Sequence, residues 1–329
     1  MAVNLTPQYL EADAEYKKAR TPDEKLECLK RMWIELPKHK ASEKVQADLK
    51  TKMADLRDAI ETKKGQKKGG VSHKVVRQGA GQIVLLGGAN AGKSRLLTRL
   101  TRATPEVAPY PFTTRELHVG MMDWQDVKIQ LIDTPPITAD FMEPYLSNIV
   151  RAADAAVLMI DLADDDGPFA AETAIERLQN VKTQLVGQKD YASEDFTIEQ
   201  IKTMIVANKI DAEGAADRLE IVREMFAGKF PIHTLAAETG QGLEELRTAL
   251  YEFLEIIRVY TKQPGKPPDM TSPFTCPIGS ALIEMAELVH RDFADNLKSA
   301  RLWGVGVFDG QSVKRDHVLH DKDIVELHL

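Results

Sequence analysis

Cysteine and aromatic residues are scarce in this chain: two of the former and 6% of the latter among 329 residues. Cys28 and Cys276 lie far apart with no C-x-x-C pair and no histidine cluster beside them, which excludes a disulfide scaffold and a zinc or redox motif. They read as two small hydrophobes in a reducing compartment. No apolar run approaches the ~20 residues of a membrane span. The opening MAVNLTPQYLEADAEYKK has no apolar leader stretch, so a cytoplasmic protein without a membrane partner is expected. Internal repeats are absent as well. What is present is ordinary for a soluble globular chain, 43% hydrophobic and 28% charged, and long enough for two or three domains.

The net charge of −7 conceals an asymmetry. Residues 1–80 carry 18 Lys and Arg against 12 Asp and Glu, and the remainder 25 against 38. A basic module is joined to an acidic body, which points to a polyanionic partner for the first part. That part reads as helices. Thr6-Pro7 and Thr21-Pro22 each place a capping hydroxyl before a proline at the first helical position, and Thr21-Pro22-Asp23-Glu24 is a capping box. Leu26, Leu29, Trp33 and Leu36 follow at helical spacing until Pro37. Ser42 opens a further helix with Val45, Leu49, Met53, Leu56 and Ile60 on one stripe, and ETKKGQKKGG at 61–70 then reads as a flexible Lys/Gly linker.

From Gly81 the period changes. Apolar strands at 82–87, 127–132, 155–161 and 203–208 alternate with helical patterns near 93–102, 169–185, 214–227 and 242–257. Such alternation predicts an α/β body with a mostly parallel sheet and helices on both faces. Residues 117–122 and 127–132 are close enough to pair as a hairpin and add one antiparallel edge strand. Beyond Ile257, strands at 258–262, 273–278, 300–308 and 323–328 around a helix at 281–293 predict a small α+β domain.

The chemistry is written in short motifs. Strand QIVLLG runs into GGANAGKS at 87–94 and then a helix, the G-x-x-x-x-G-K-S phosphate loop in the context it requires. Asn90, Ala91, Gly92, Lys93, Ser94 and Arg95 offer backbone N–H groups and a helix N-terminus to phosphates. Lys93 suits β/γ charge, and the Ser94 hydroxyl suits Mg²⁺. A second strand ends in Asn208-Lys209-Ile210-Asp211. A carboxylate at Asp211 accepts from the ring N1–H and exocyclic amine of guanine, a donor pair that adenine lacks. Asn208 can pin the loop and the Lys209 stem can cover the base. Asp133, at the end of Leu131-Ile132-Asp133-Thr134-Pro135, stands where a water-mediated Mg²⁺ ligand is needed. Thr114 in Phe112-Thr113-Thr114-Arg115 can close on the metal when a γ-phosphate is present. Ala236 and Ala237 of Ala236-Ala237-Glu238-Thr239-Gly240 can present N–H groups to the guanine O6. A metabolic P-loop kinase has no use for NKID.

The motifs GGANAGKS, YPFTTRE, DTPP, NKID and AAETGQGLEEL resemble the five G motifs of translation-factor-class GTPases, and YPFTT resembles the Obg superfamily. The tail from RVYTKQPGKPPDMTSPFTCPIG to DHVLHDKDIVEL resembles the TGS domain of the developmentally regulated GTP-binding (DRG) branch, as does the helical entry segment at the N-terminus. The resemblance spans nearly the whole chain. It implies three regions: a basic helical region and linker at 1–79, a P-loop GTPase domain at 80–257, and a ubiquitin-like β-grasp TGS domain at 258–329. It also implies GTP and GDP as ligands, Lys93 and Thr114 in catalysis, Mg²⁺ held by Ser94, Thr114 and Asp133, and a link to ribosomes or RNA. Asn90 stands where potassium-dependent GTPases of this class have an Asn, so it either helps hold K⁺ or serves as a turn residue.

Departures are equally specific. The glycine-rich N-terminal domain of Obg is missing, and no extra domain fits between Asp133 and Asn208. Switch II reads Asp133-Thr134-Pro135-Pro136-Ile137 instead of DxxG. In the family pattern that glycine donates its N–H to the γ-phosphate, and proline has none. Ile137 stands where Ras-like proteins place a water-orienting Gln, an apolar choice that Obg-type proteins share. Slow intrinsic turnover is therefore expected. Two readings remain: a GTP-hydrolysing switch, or a nucleotide-sensing adaptor whose output is binding alone. Residues 61–78, with Lys63, Lys64, Lys67, Lys68, Lys74 and Arg77 against Glu61, are either an RNA-contacting arm or a solvated linker.

Overall fold

Why the chain begins in helices is visible in its caps. The computed structural model describes residues 6–19, 21–36, 42, 45–54, 56, 75–101, 106–108, 117–190, 197–290 and 296–328. Helix α1 (Pro7–Lys18) is capped by Thr6, whose hydroxyl accepts from the Tyr9 N–H at 3.1 Å. Helix α2 (Pro22–Glu35) carries the full capping box: the Thr21 hydroxyl accepts from the Glu24 N–H, and the Glu24 carboxylate accepts from the Thr21 N–H. Such a cap contributes about 1 kcal/mol. Leu29 and Leu36 join Tyr9, Ala12, Met32, Leu49 and Leu56 in a small core of their own, with α3 (45–54) supplying Leu49. The linker expected at 61–70 lies outside the described residues.

The central sheet has the order β2-β3-β4-β1-β5-β7-β6, with β8 pairing β7. Its strands are β1 (Gly81–Gly87), β2 (Glu106–Ala108), β3 (Leu117–Trp124), β4 (Val127–Asp133), β5 (Ala155–Asp161), β6 (Thr183–Val186), β7 (Glu199–Asn208) and β8 (Ile232–Leu235). β1, β4, β5, β6, β7 and β8 run parallel, while β3 pairs antiparallel with both β4 and β2. Strands β1 and β5 are buried at every position, as continuous apolar runs covered on both faces must be. Helices α4 (Lys93–Leu100) and α8 (Leu243–Phe253) contribute to the core on one face. Helices α5 (Leu146–Ala152), α6 (Gly167–Asn180) and α7 (Ala215–Met225) contribute to the core on the other. The α/β architecture read from the sequence is therefore the one observed.

A second sheet, order β10-β9-β13-β11-β12, follows. It comprises β9 (Ile256–Lys262), β10 (Pro268–Pro277), β11 (Ser299–Trp303), β12 (Gln311–Val313) and β13 (Asp323–His328), with α9 (Leu282–Val289) packed in the same core. Its mixed pairing, β13 parallel to β9 and the rest antiparallel, is the β-grasp arrangement that the resemblance implied.

Several elements differ from the sequence reading. The pattern at 169–185 splits into α6 and strand β6, because Lys182, at φ 61°, breaks the helix and turns the chain back. The strand expected at 300–308 stops at Trp303. There, Gly304 packs so tightly on Asp323 that an added Cβ would lie 1.8 Å from its carboxylate oxygen. The short β2 and helix α5 give no period of their own.

Candidate functional site

The sequence motifs converge at the C-terminal ends of the parallel strands, the crevice where doubly wound sheets hold ligands. β1 delivers the phosphate loop, β4 delivers Asp133, β7 delivers Asn208 and β8 delivers Ala236. Two glycines need to be glycine. At Gly87, φ is 142° and a Cβ would meet the Met159 carbonyl at 2.5 Å. At Gly92, φ is 93° and a Cβ would meet Asn208 Nδ2 at 2.2 Å. Asn90 also has positive φ, 58°, so its role as a turn residue is visible in the backbone.

Lys93 opens α4 but curls back, its Nζ donating to the Gly88 carbonyl at 2.7 Å and the Gly87 carbonyl at 3.1 Å. Burial pulls the lysine below its ordinary pKa, with the nearby Asp133 charge opposing that shift. The Ser94 hydroxyl donates to Asp133 Oδ2 at 2.5 Å. Burial raises the Asp133 carboxyl above its ordinary value, against the pull of the Ser94 hydrogen bond and Lys93. The other oxygen, Oδ1, is buried and makes no hydrogen bond among the described residues. An orphaned carboxylate oxygen beside a serine hydroxyl is a hard oxygen donor set with capacity to spare. Among the described residues no group of three or more His, Cys, Asp or Glu could hold a metal unaided. The set therefore fits an ion that shares its coordination with phosphates and water.

Residues 134–137, expected as part of switch II, are tied to β1. The Thr134 hydroxyl donates to the Leu85 carbonyl at 2.6 Å, and the Ile137 N–H donates to the Gly87 carbonyl at 3.2 Å. Ile137 itself is 1% exposed and belongs to the core. Pro135 is buried and Pro136 half-buried, and Pro136 lines a cavity of about 570 Å³ with Ala89, Asn90, Lys93, Ser94 and Thr134. Phe112, Thr113, Thr114 and Arg115 lie outside the described residues.

Asn208 is the knot between the loops. Its Nδ2 donates to the Ala91 carbonyl at 2.9 Å, and its Oδ1 accepts from the Ala237 N–H at 3.0 Å. One buried side chain thus fixes the phosphate loop against the 236–240 loop. An adjoining cavity of about 420 Å³ is lined by Gly92, Arg95, Asn208, Lys209, Asp211, Ala212, Ala237 and Glu238. Asp211 is exposed there, while Ala236 and Ala237 are buried at 1% and 2%. Lys209 has positive φ, 64°, and its Nζ pairs with Asp161 at the end of β5.

Two contributors escaped the motif reading. Arg99, one helical turn beyond Arg95, donates from Nε to the Ala237 carbonyl at 3.0 Å and from its guanidinium to the Glu238 carbonyl. Arg95 reaches the Glu238 carboxylate at 2.6 Å. Their spacing of four places both on one face of α4, a signal present in the sequence but shared with any helix. Asp161 gave one too, as an acid ending a buried strand.

The geometry is that of a P-loop nucleotide-binding domain: phosphate loop, acid-ended strand and base-side loop around one crevice. Residues 82–209 match the family described as 50S ribosome-binding GTPase, and residues 257–329 match the TGS domain. The chain is 27% identical to an uncharacterised GTP-binding protein of Methanocaldococcus jannaschii, over 88% of each. It is 25% identical to developmentally-regulated G-protein 2 of Arabidopsis thaliana, over 88% of this chain and 87% of the relative. The YchF GTPase of Schizosaccharomyces pombe covers 77% of this chain with a TM-score of 0.49 at 12% identity. In joining a GTPase-family domain to a C-terminal TGS domain, the chain is similar to Obg/DRG-like GTP-binding proteins.

Proposed function

We propose that the protein hydrolyses GTP slowly and acts as a switch in the cytoplasm, with residues 80–257 as the GTPase domain, 258–329 as the TGS domain and 1–79 as a basic helical arm. The observation that carries this reading is the Asn208 knot, which joins a phosphate loop to a loop suited to a base and leaves Asp211 exposed beside them. Backbone N–H groups from Asn90 to Arg95 wrap the phosphates, and Lys93 leaves the Gly87 and Gly88 carbonyls to meet β- and γ-oxygens. Asp211 reads guanine and Lys209 covers the base, whereas the Ala236 and Ala237 N–H groups expected at the guanine O6 are already given to the Gln241 carbonyl and to Asn208 Oδ1, so these two residues hold the loop instead. Ser94 and Thr114 would hold Mg²⁺ directly and Asp133 through water, and the ion would supply neutralisation of phosphate charge. The orphaned Asp133 Oδ1 supports that assignment.

Water attacks the γ-phosphorus in line, the bond to the β,γ-bridging oxygen breaks, and GDP and phosphate leave. The protein's contribution is positioning and charge, with no switch II side chain to orient the water: Ile137 is held in the core and Pro136 has no N–H. K⁺ at Asn90 can supply the positive charge that an arginine supplies in other GTPases. The basic arm and the TGS domain engage ribosomal RNA phosphates.

Single-turnover GTP hydrolysis with and without ribosomes tests the switch. Acceleration by ribosomes is expected, whereas an unchanged rate favours the adaptor reading. Deleting 61–70 should weaken ribosome co-sedimentation and flatten its salt dependence. No change in either would remove RNA from the account.

A further inference from the structure

The β3–β4 hairpin joins the two regions expected to sense the γ-phosphate. Its first strand follows Phe112–Arg115, and its second ends at Asp133 on Ser94. At the far end, the turn residues Gln125 and Asp126 are gripped from the TGS sheet. Arg258, only 3% exposed, donates from Nη1 to Gln125 Oε1 at 2.7 Å and Asp126 Oδ1 at 2.8 Å. Its Nη2 and Nε reach the two oxygens of Asp321 at 2.7 and 3.1 Å, and the Tyr260 hydroxyl donates to Asp126 Oδ2. Trp124, the last residue of β3, stacks on Tyr251 of α8 with ring centroids 3.6 Å apart and planes within 14°. The guanidinium lies 5.1 Å from the Trp124 ring centroid.

Chain continuity through Leu254 and Glu255 already tethers the TGS sheet, so a tether alone does not call for this arrangement. Burying a guanidinium is costly unless its partners are held in fixed geometry. Here those partners sit on two different sheets, so the arrangement fixes the hairpin turn to the TGS sheet. The strand it grips is also the less constrained one. β4 is locked in register to β1 from Gly81–Ile129 to Leu85–Asp133, whereas among the described residues the outer side of β3 pairs with the three residues of β2 and makes one isolated bridge, from Met122 to Thr101.

We propose that the TGS sheet follows the β3–β4 hairpin as one body through Arg258, so that the nucleotide state of the switch regions is read out in the TGS domain and a TGS-bound partner acts back on the nucleotide site. This rests on the guanine-nucleotide reading above. By linkage the coupling is reciprocal: whatever prefers one TGS position favours the corresponding nucleotide to the same extent.

Hydrogen exchange of the full chain, with Mg²⁺ and either GDP or a non-hydrolysable GTP analogue, tests the proposal. Amides of 256–262 and 321–326 should differ between the two states by about fivefold, the lower end of coupling between linked sites. Asp126→Asn loosens the grip from a half-exposed turn and leaves the fold intact. It should abolish that difference while amides of 87–94 stay protected by both nucleotides. Equal exchange of 256–262 in the two states of the wild-type protein, with 87–94 protected, overturns the coupling and leaves the nucleotide reading standing. Absence of protection at 87–94 overturns both. A difference that persists in Asp126→Asn and in Arg258→Lys also overturns it, because the signal would then travel another way.

Discussion

Replacing Pro136 by glycine should turn a weakly discriminating nucleotide site into one that prefers GTP. Pro136 lines the phosphate-side cavity but has no N–H to give, and the next N–H, on Ile137, is already donated to the Gly87 carbonyl. Among the described residues, switch II therefore offers no free backbone donor from 136 or 137 to a γ-phosphate. Glycine restores one. A hydrogen bond to a charged acceptor is worth roughly 1.5–3 kcal/mol, or about one to two decades in affinity. Glycine also loosens the chain, an effect of about 1 kcal/mol on folding. That cost is common to the GDP and GTP complexes and cancels in their ratio. Titration of Pro136→Gly with fluorescent GDP and a fluorescent non-hydrolysable GTP analogue should show the analogue gaining about ten- to a hundredfold, with GDP within a few-fold. An unchanged ratio would refute the reasoning, since the γ-phosphate would then be met by another group or by none.

Hydrolysis in KCl should exceed that in NaCl on the order of tenfold if Asn90 helps hold a cation that neutralises transition-state charge, and equal rates would leave Asn90 as a turn residue alone. Arg258→Met strands Asp126 and Asp321 and should cost about 2–4 kcal/mol, below the figure for a fully buried pair because both carboxylates still touch water. Urea unfolding followed by Trp fluorescence measures it, and a cost under about 0.5 kcal/mol would contradict the buried-staple account. Acid acts on the same contact. Burial raises Asp126 and Asp321, but hydrogen bonds from Tyr260 and Arg258 to the first, and from Arg258 to the second, outweigh it and hold both below 3.8. Their stabilisation is thus complete above that value and lost as pH falls through the lower folded-state values. The near-ultraviolet signal of Trp124 should fade in that acid window, and a fade beginning near neutrality would point to other groups.

Much of this molecule is legible in its residues. The capped helices at the N-terminus announce themselves through Thr6-Pro7 and Thr21-Pro22-Asp23-Glu24, because a cap is a local hydrogen-bond pattern with few residue choices. β1 and β5 are equally plain, since strands buried on both faces must be continuously apolar. The phosphate loop is legible because close backbone approach demands glycine at Gly87 and Gly92, and NKID because it ends a strand with the pattern proposed to read a base. What escapes is what depends on distant partners. Thr183–Val186 becomes a strand only because β7 lies alongside, and Arg99 matters only because the 236–240 loop folds over α4. Arg258 is one arginine in an apolar strand until Asp126 and Asp321, 132 and 63 residues away, close on it.

The central claim is that Asp211 makes this a guanine-nucleotide site. Competition binding with fluorescent GDP tests it directly, using GDP, ADP and XDP against the wild-type protein and Asp211→Asn. The wild type should be displaced by GDP and not by ADP or XDP. In Asp211→Asn the carboxylate that accepts from guanine becomes an amide able to donate to the 2-oxo group of xanthine, and preference should shift toward XDP. Displacement of the wild type by ADP as readily as by GDP, or an Asp211→Asn protein that binds GDP as before and XDP no better, would contradict the account.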